Sequence, residues 1–125
     1  MKYLVLLYAE EGAWPPEEHK AAIQKSVDLC HELHAKGQYR GAAPLQPPST
    51  ATYLQVRNDR VMILDGPFSE TKEHLGGYFL IDVDSLDEAI VIASRIPGAT
   101  RGTAEIRPIM EVTGLPDEPA IGSPR

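Results

Sequence analysis

The first segment of the chain places the strongest constraint on its fold. Between Lys2 and Tyr8 the residues are apolar on both alternating faces, with Tyr3, Val5 and Leu7 on one and Leu4, Leu6 and Tyr8 on the other. Successive side chains of a strand point to opposite faces of the sheet. A strand of this kind must therefore be covered on both sides.

Two helices are predicted. The run from Trp14 to Glu18 places prolines in a first turn and carboxylates near the positive helix end, so we expect a helix from about Glu17 to Lys36, followed by a left-handed Gly37. Ser85 and Glu88 form a capping box that predicts a second helix over Leu86 to Ile96. The predicted buried stripes are Ile23, Val27, Cys30 and Leu33 in the first helix, and Leu86, Ala89, Ile90, Ala93 and Ile96 in the second.

The remaining strands are predicted at Gln38 to Leu45, Thr50 to Arg57, Arg60 to Leu64, Tyr78 to Val83 and Thr103 to Glu111. Asn58 and Asp59 tolerate the backbone of a tight turn, so the second and third of these segments form a hairpin. This order predicts an α+β fold: a ferredoxin-like antiparallel sheet with two helices on one face and an inserted β-hairpin. The first strand also needs cover on its second face, which predicts a homodimer whose sheets face each other.

Composition limits the functions that fit. The 125 residues suit one domain, which we place at residues 1–113, followed by a tail at 114–125 that contains three prolines and is expected to be mobile. The net charge of −6 and the lack of clustered Lys and Arg argue against nucleic-acid binding, and no run approaches the roughly 20 apolar residues of a membrane span. The single cysteine, Cys30, fits a reducing compartment, and a cytoplasmic protein is expected. Cys30, His31 and His34 are too few ligands for a metal site, so neither a metal nor a cofactor is expected.

Candidate site residues lie around the acidic loop from Asp65 to Tyr78. Asp65 follows an apolar strand, where it either acts as a general base or shapes the turn before Gly66. Glu70, Lys72 and Glu73 either contact a polar ligand or form a solvated loop face. Arg107 lies on the strand face opposite the helices, where it clamps a carboxylate ligand or pairs with Glu105.

The same loop carries a family resemblance. Asp65-Gly66-Pro67-Phe68, Glu70-Thr71-Lys72-Glu73 and Gly76-Gly77-Tyr78 closely resemble the DGPF branch of the YCII-related family, as do Lys2-Tyr3-Leu4, Pro48 to Thr52 and Glu105 to Met110. The resemblance implies a dimeric α+β barrel, in a superfamily whose muconolactone isomerase-like and dehalogenase-like enzymes act on small organic acids. It also implies an active-site pair of histidine and aspartate, for which His19 and Asp65 are the candidates.

Two functions follow from these observations and the resemblance. The first is a small-molecule-binding dimer with acid/base chemistry of the isomerase or lyase type on an organic acid. Asp65 would be the base, His19 its partner, Arg107 the anion clamp, and Glu70, Lys72 and Glu73 further ligand contacts. The second is a non-catalytic accessory protein of an extracytoplasmic-function sigma factor, since genes of the DGPF branch often lie beside genes for such factors. Whether the protein is an enzyme is left open.

Overall fold

A computed structural model describes residues 1–66 and 72–116 of the chain. Its strands are β1 (Lys2–Glu10), β2 (Tyr39–Pro44), β3 (Thr52–Arg57), β4 (Arg60–Asp65), β5 (Glu73–Asp82) and β6 (Thr103–Pro108), and its helices are α1 (Pro16–Ala35) and α2 (Leu86–Ser94). Short 3-10 turns lie at Pro48–Thr50 and Pro97–Thr100.

Four of the strands form one antiparallel sheet in the order β2-β5-β1-β6. Residues of α1 and α2 share one buried cluster with Val5 and Leu7 of β1, so both helices cover the same face of the sheet. The predicted α+β, ferredoxin-like arrangement with two helices on one face is confirmed. The residues of β1 that point away from the helices are only partly buried, and we call this side the open sheet face.

The hairpin forms as predicted but stands as a separate two-stranded sheet of β3 and β4. Asn58 and Asp59 adopt φ values of 52° and 61°, the left-handed conformation that their short polar side chains tolerate. No residue of either strand is buried. Aliphatic side chains of the hairpin are therefore exposed in the part of the chain that the structure describes.

The ends of the helices follow their local sequence signals. Ser85 accepts a hydrogen bond from the Glu88 backbone N–H at 3.2 Å, which is half of the predicted capping box. The Glu88 carboxylate turns to the N–H of Asp84, at 2.9 Å, rather than to that of Ser85. Gly37, with φ of 71°, follows α1 in the left-handed conformation that was expected.

Strand β5 begins five residues earlier than predicted, so the loop that precedes it is shorter. Gly76 and Gly77 belong to this strand rather than to the predicted loop. A Cβ atom at Gly77 would lie 3.0 Å from the carbonyl oxygen of Ala43 in β2, so glycine permits the close approach of the two strands.

The two helices bury different residues from those expected. In α2, Ile92 is buried whereas Leu86 and Ile90 are about half exposed; Ala89, Ala93 and Ile96 are buried as predicted. In α1, Leu33 is 1% exposed but Val27 is 42% exposed, and Leu29 joins the core instead. The two buried residues of α1, Leu29 and Leu33, thus both lie in its C-terminal half.

The chain continues past β6 along the edge of the sheet. The N–H of Ile109 donates to the carbonyl of Lys2 at 2.9 Å, after which residues 110–116 are exposed. Most of the predicted tail, residues 117–125, lies outside the described part of the chain, so its mobility and the boundary at 113 stay predictions. Within the described residues, no helix combines the length and apolar character of a membrane span.

Candidate functional site

A cavity of about 540 Å³ lies between α1 and the sheet. On the helix side one stripe lines it, with members three or four positions apart on a single helical face. These residues are His19, Ala22, Ile23, Ser26, Val27, Cys30, His31 and His34. Cavities of this size accommodate small organic molecules, whose pockets usually span roughly 300–1,000 Å³.

The wall opposite α1 explains why a cavity is present. Strands β2 and β5 present Ala42, Ala43, Gly76 and Gly77 to the cavity, and these residues lack side chains long enough to reach α1. Leu7 and Phe79 form the floor, where the cavity meets the buried core. The wall is therefore mostly apolar. The size of the cavity follows from the small side chains of β2 and β5.

Several polar groups interrupt this apolar lining. Burial raises the pKa of the Cys30 thiol, and burial also raises the pKa of the Tyr39 hydroxyl, so both groups are neutral at pH 7. The rings of His34 and Tyr39 meet edge-on with centroids 6.4 Å apart. The Ser26 hydroxyl donates to the carbonyl of Ala22 at 3.0 Å and keeps its lone pairs for another donor. The cavity thus offers hydrogen bonds to a ligand while its thiol and phenol carry no charge.

Trp14 forms one edge of the cavity and is held by Arg101. The guanidinium lies 4.2 Å from the centre of the indole, a cation–π contact. It also donates to both carboxylate oxygens of Glu18, at 3.0 and 3.2 Å, and to the carbonyl of Ala13 at 3.2 Å. The hydrogen bond from Arg101 lowers the pKa of Glu18. These contacts fix the segment before α1, and with it the edge of the cavity.

The structure separates the proposed pair of His19 and Asp65. His19 lies in the first turns of α1 and lines the cavity, as expected of a ligand-contacting residue. Asp65 is the last residue of β4, is exposed, and does not line the cavity. Its neighbour Gly66 donates to the carbonyl of Ala51 at 2.7 Å, which closes the base of the hairpin.

Of the other predicted ligand contacts, the three that the structure describes do not line the cavity. Arg107 is 69% exposed on the open sheet face, where its Nε is 3.7 Å from a Glu105 oxygen. Lys72 is exposed just before β5, and Glu73 accepts a hydrogen bond from the Thr103 hydroxyl at 2.8 Å. Glu70 lies outside the described residues. A role for these four residues in ligand binding stays a prediction.

Comparison with known proteins identifies the family. A YCII-related domain matches residues 1–113. The chain belongs to the YCII-related family. It is also 35% identical over 114 residues to an uncharacterised protein of Rhizobium meliloti (strain 1021), an alignment that covers 87% of this chain and 92% of that protein.

For this YCII-related chain, the sequence identified His19 as a candidate site residue, and His19 lines the cavity. Most of the other lining residues were not recognised as ligand contacts. His31 and His34 were weighed only as metal ligands, and within the described residues no three metal-binding side chains come together. Ile23, Val27 and Cys30 were assigned to the core because their spacing matches a buried stripe. The available signal was the combination of this stripe with a run of small residues in the facing strands, which becomes visible only when the strand register is known.

Proposed function

We propose that this YCII-related protein binds a small, mostly apolar organic molecule in the cavity between α1 and the sheet. The cavity itself carries the proposal, because its wall combines an apolar surface with a few hydrogen-bonding groups, as ligand sites do. Trp14 and Tyr39 line it and favour a ligand with a flat or aromatic body. The imidazoles of His19 and His31 offer donors to a polar head such as a carboxylate.

An organic acid is therefore the ligand class that fits best. The apolar body would lie against the small residues of β2 and β5, and the carboxylate would point toward the histidines of α1. Binding in this position needs neither Asp65 nor Arg107. Ligand binding and acid/base chemistry are consequently separate parts of the proposal, and they are tested separately.

The proposed acid/base step joins His19 with Asp65. In this step one side chain takes a proton from the bound acid and the other holds the receiving group in place. Since Asp65 of the same chain does not line the cavity, the pair requires either a movement of the hairpin or a second copy of the chain.

The second copy is the homodimer, in which the open sheet faces of two chains cover each other. Leu4, Leu6 and Leu80 support it, because these side chains lie on that face without helix cover. No observation on the fold or the cavity favours the alternative role as an accessory protein of a sigma factor, which stays a prediction.

A matched pair of variants tests ligand binding. Ala22 lines the cavity, whereas its neighbour Ala21 is exposed and does not. With 1-naphthoate as the probe, we expect Ala22→Phe to weaken binding at least about tenfold in calorimetry, because the new ring fills the cavity. Ala21→Phe should bind within about twofold of the unchanged protein. Equal affinities for the two variants would contradict the proposal.

The chemistry is tested with His19→Gln and Asp65→Asn on any small acid that the protein turns over. Loss of turnover in both variants, with 1-naphthoate still bound, would support the proposed pair. Full turnover in Asp65→Asn would remove this residue from the reaction and leave the binding proposal intact.

A further inference from the structure

One side chain outside the cavity wall holds an edge of the cavity in place. The Arg101 guanidinium lies 3.0 to 4.2 Å from its partners in Ala13, Trp14 and Glu18. Arg101 itself is not among the described residues that line the cavity, whereas Trp14 is. We call residues 13–18 the edge segment, which contains Trp14 and the first residues of α1. A single guanidinium therefore joins three points of this segment.

The edge segment has little support from the core. In the described part of the chain, no residue from 11 to 28 is buried, and the first buried residue of α1 is Leu29. Most of the stability of a helix in a protein comes from the packing of its apolar face. The N-cap residue, Pro15, also has no side-chain oxygen that could accept from the free N–H groups of the first turn. A segment with few buried contacts opens locally at low cost, so it needs surface contacts to keep its position.

Arg101 extends from a part of the fold that is closely packed. It follows the turn at Pro97–Thr100, which begins directly after Ile96, a core residue that is 2% exposed. The next residue, Gly102, lies so close to β1 that an added Cβ would overlap the carbonyl oxygen of Tyr8. Close-packed regions of this kind resist displacement. Arg101 thus connects a fixed backbone to a weakly supported segment.

We propose that Arg101 is a positioning residue for the ligand of the cavity, because it holds Trp14 beside the bound molecule and thereby slows its release. This inference rests on the ligand site proposed above and adds a residue that acts on the ligand without touching it. Arginine suits the role, since its planar guanidinium stacks on an aromatic ring and also donates to both oxygens of a carboxylate. Segments that close over a ligand commonly set the rate at which it leaves.

Arg95 provides a matched control. It directly follows α2 and, like Arg101, forms an ion pair with a carboxylate of α1, in this case Glu32. Arg95 and Arg101 are 45% and 38% exposed. Neither Arg95 nor Glu32 is among the described residues of the cavity wall. Loss of either exposed ion pair should change the stability of the fold little, so the two substitutions differ mainly in their effect on the cavity.

The release rate of a probe gives the main test. With 1-naphthoate in stopped-flow fluorescence, we expect Arg101→Gln to raise the dissociation rate constant about fivefold or more, because the contacts that hold Trp14 are lost. Arg95→Gln should change it less than about twofold. Equal rates in the two variants, or a rate in Arg101→Gln that matches the unchanged protein, would overturn the inference.

A second measurement needs no ligand. Trp14 is the only tryptophan of the chain, so the intrinsic tryptophan fluorescence reports on this residue alone. We expect acrylamide to quench Arg101→Gln more strongly than the unchanged protein, and Arg95→Gln to the same extent as the unchanged protein. Equal quenching of all three proteins would show that Trp14 keeps its place without Arg101, which would overturn the inference.

The two proposals fail in different ways. If the unchanged protein does not bind 1-naphthoate, the proposed ligand site is rejected, and this inference with it. If the protein binds the probe but Arg101→Gln does not alter its release, the ligand site stands and only the positioning role of Arg101 is rejected.

Discussion

Cys30 shows at the residue scale how the cavity sets the chemistry of its wall. Its thiol is partly buried between α1 and the sheet, and burial disfavours the charged thiolate. The pKa of Cys30 is consequently raised above its ordinary value of 9.0. Since only the thiolate reacts with alkylating reagents, the protein should be slow to react near neutral pH.

We therefore predict that iodoacetamide modifies Cys30 more slowly at pH 8 than it modifies a surface thiol. The rate should continue to rise as the pH is increased past 9, because the raised pKa delays formation of the thiolate. The control is Ala21→Cys in a Cys30→Ser background, which places the thiol on the exposed side of the same helix. Equal rates for the two thiols at pH 8 would show that Cys30 is open to solvent.

Gly102 is a second position at which a single added atom would change the stability of the fold. A Cβ atom built there overlaps the carbonyl oxygen of Tyr8, which belongs to the neighbouring strand. Gly102→Ala must move that backbone, and we expect it to lower the free energy of unfolding by roughly 1–3 kcal/mol. At Gly98 the added Cβ would only touch the side chain of Leu7 at 3.4 Å, so Gly98→Ala should cost less. Urea denaturation of the two variants checks this order.

At the scale of elements, α1 presents one set of side chains to the core and another set to the cavity. Leu33 is 1% exposed in the core, whereas Val27 borders the cavity and is 42% exposed. We predict that Leu33→Ala lowers the free energy of unfolding by about 2–5 kcal/mol, as large-to-small core substitutions do. Val27→Ala should cost less than about 1 kcal/mol, because Val27 keeps much of its surface in contact with water in the folded chain. Similar losses for both, measured by denaturant unfolding, would mean that the whole helix packs on the sheet.

The same helix shows how far sequence reasoning reaches. Periodicity identified a stripe of α1 that points toward the sheet, because side chains three and four apart share a helical face, but only Leu33 of that predicted stripe is buried. It did not give the distance between that face and the sheet, which depends on the small residues Ala42, Ala43 and Gly77 in other elements.

The hairpin turn was predictable because Asn58 and Asp59 act locally. Asp65 and Arg107 could not be placed relative to His19, because their positions depend on how whole sheets are arranged.

At the scale of the whole molecule, the helices cover one side of the sheet, whereas the described residues place no such layer over the open sheet face. We propose that a second chain provides that layer. Leu6 lies near the middle of this face, opposite Tyr78 and Glu105 in the neighbouring strands. A lysine at this position would be buried between two sheets, where its desolvation is costly even with the Glu105 carboxylate beside it.

We predict that Leu6→Lys converts a dimer into a monomer at micromolar concentration. Val91→Lys is the control, since Val91 is 61% exposed on α2, on the opposite side of the sheet. Analytical ultracentrifugation should give a dimer for the control and a species near 13.7 kDa for Leu6→Lys. A Leu6→Lys variant that stays dimeric with an unchanged circular dichroism spectrum would place the interface elsewhere.

The central claim is that the cavity between α1 and the sheet is the ligand site. NMR chemical-shift mapping of labelled protein with 1-naphthoate tests it most directly, because it reports the position of the probe rather than its affinity. The account predicts shifted amide signals along α1 from His19 to His34 and in β2 at Ala42 and Ala43, with small changes in the hairpin. Shifts confined to the hairpin at Thr52 to Asp65, or to the open sheet face, would contradict it.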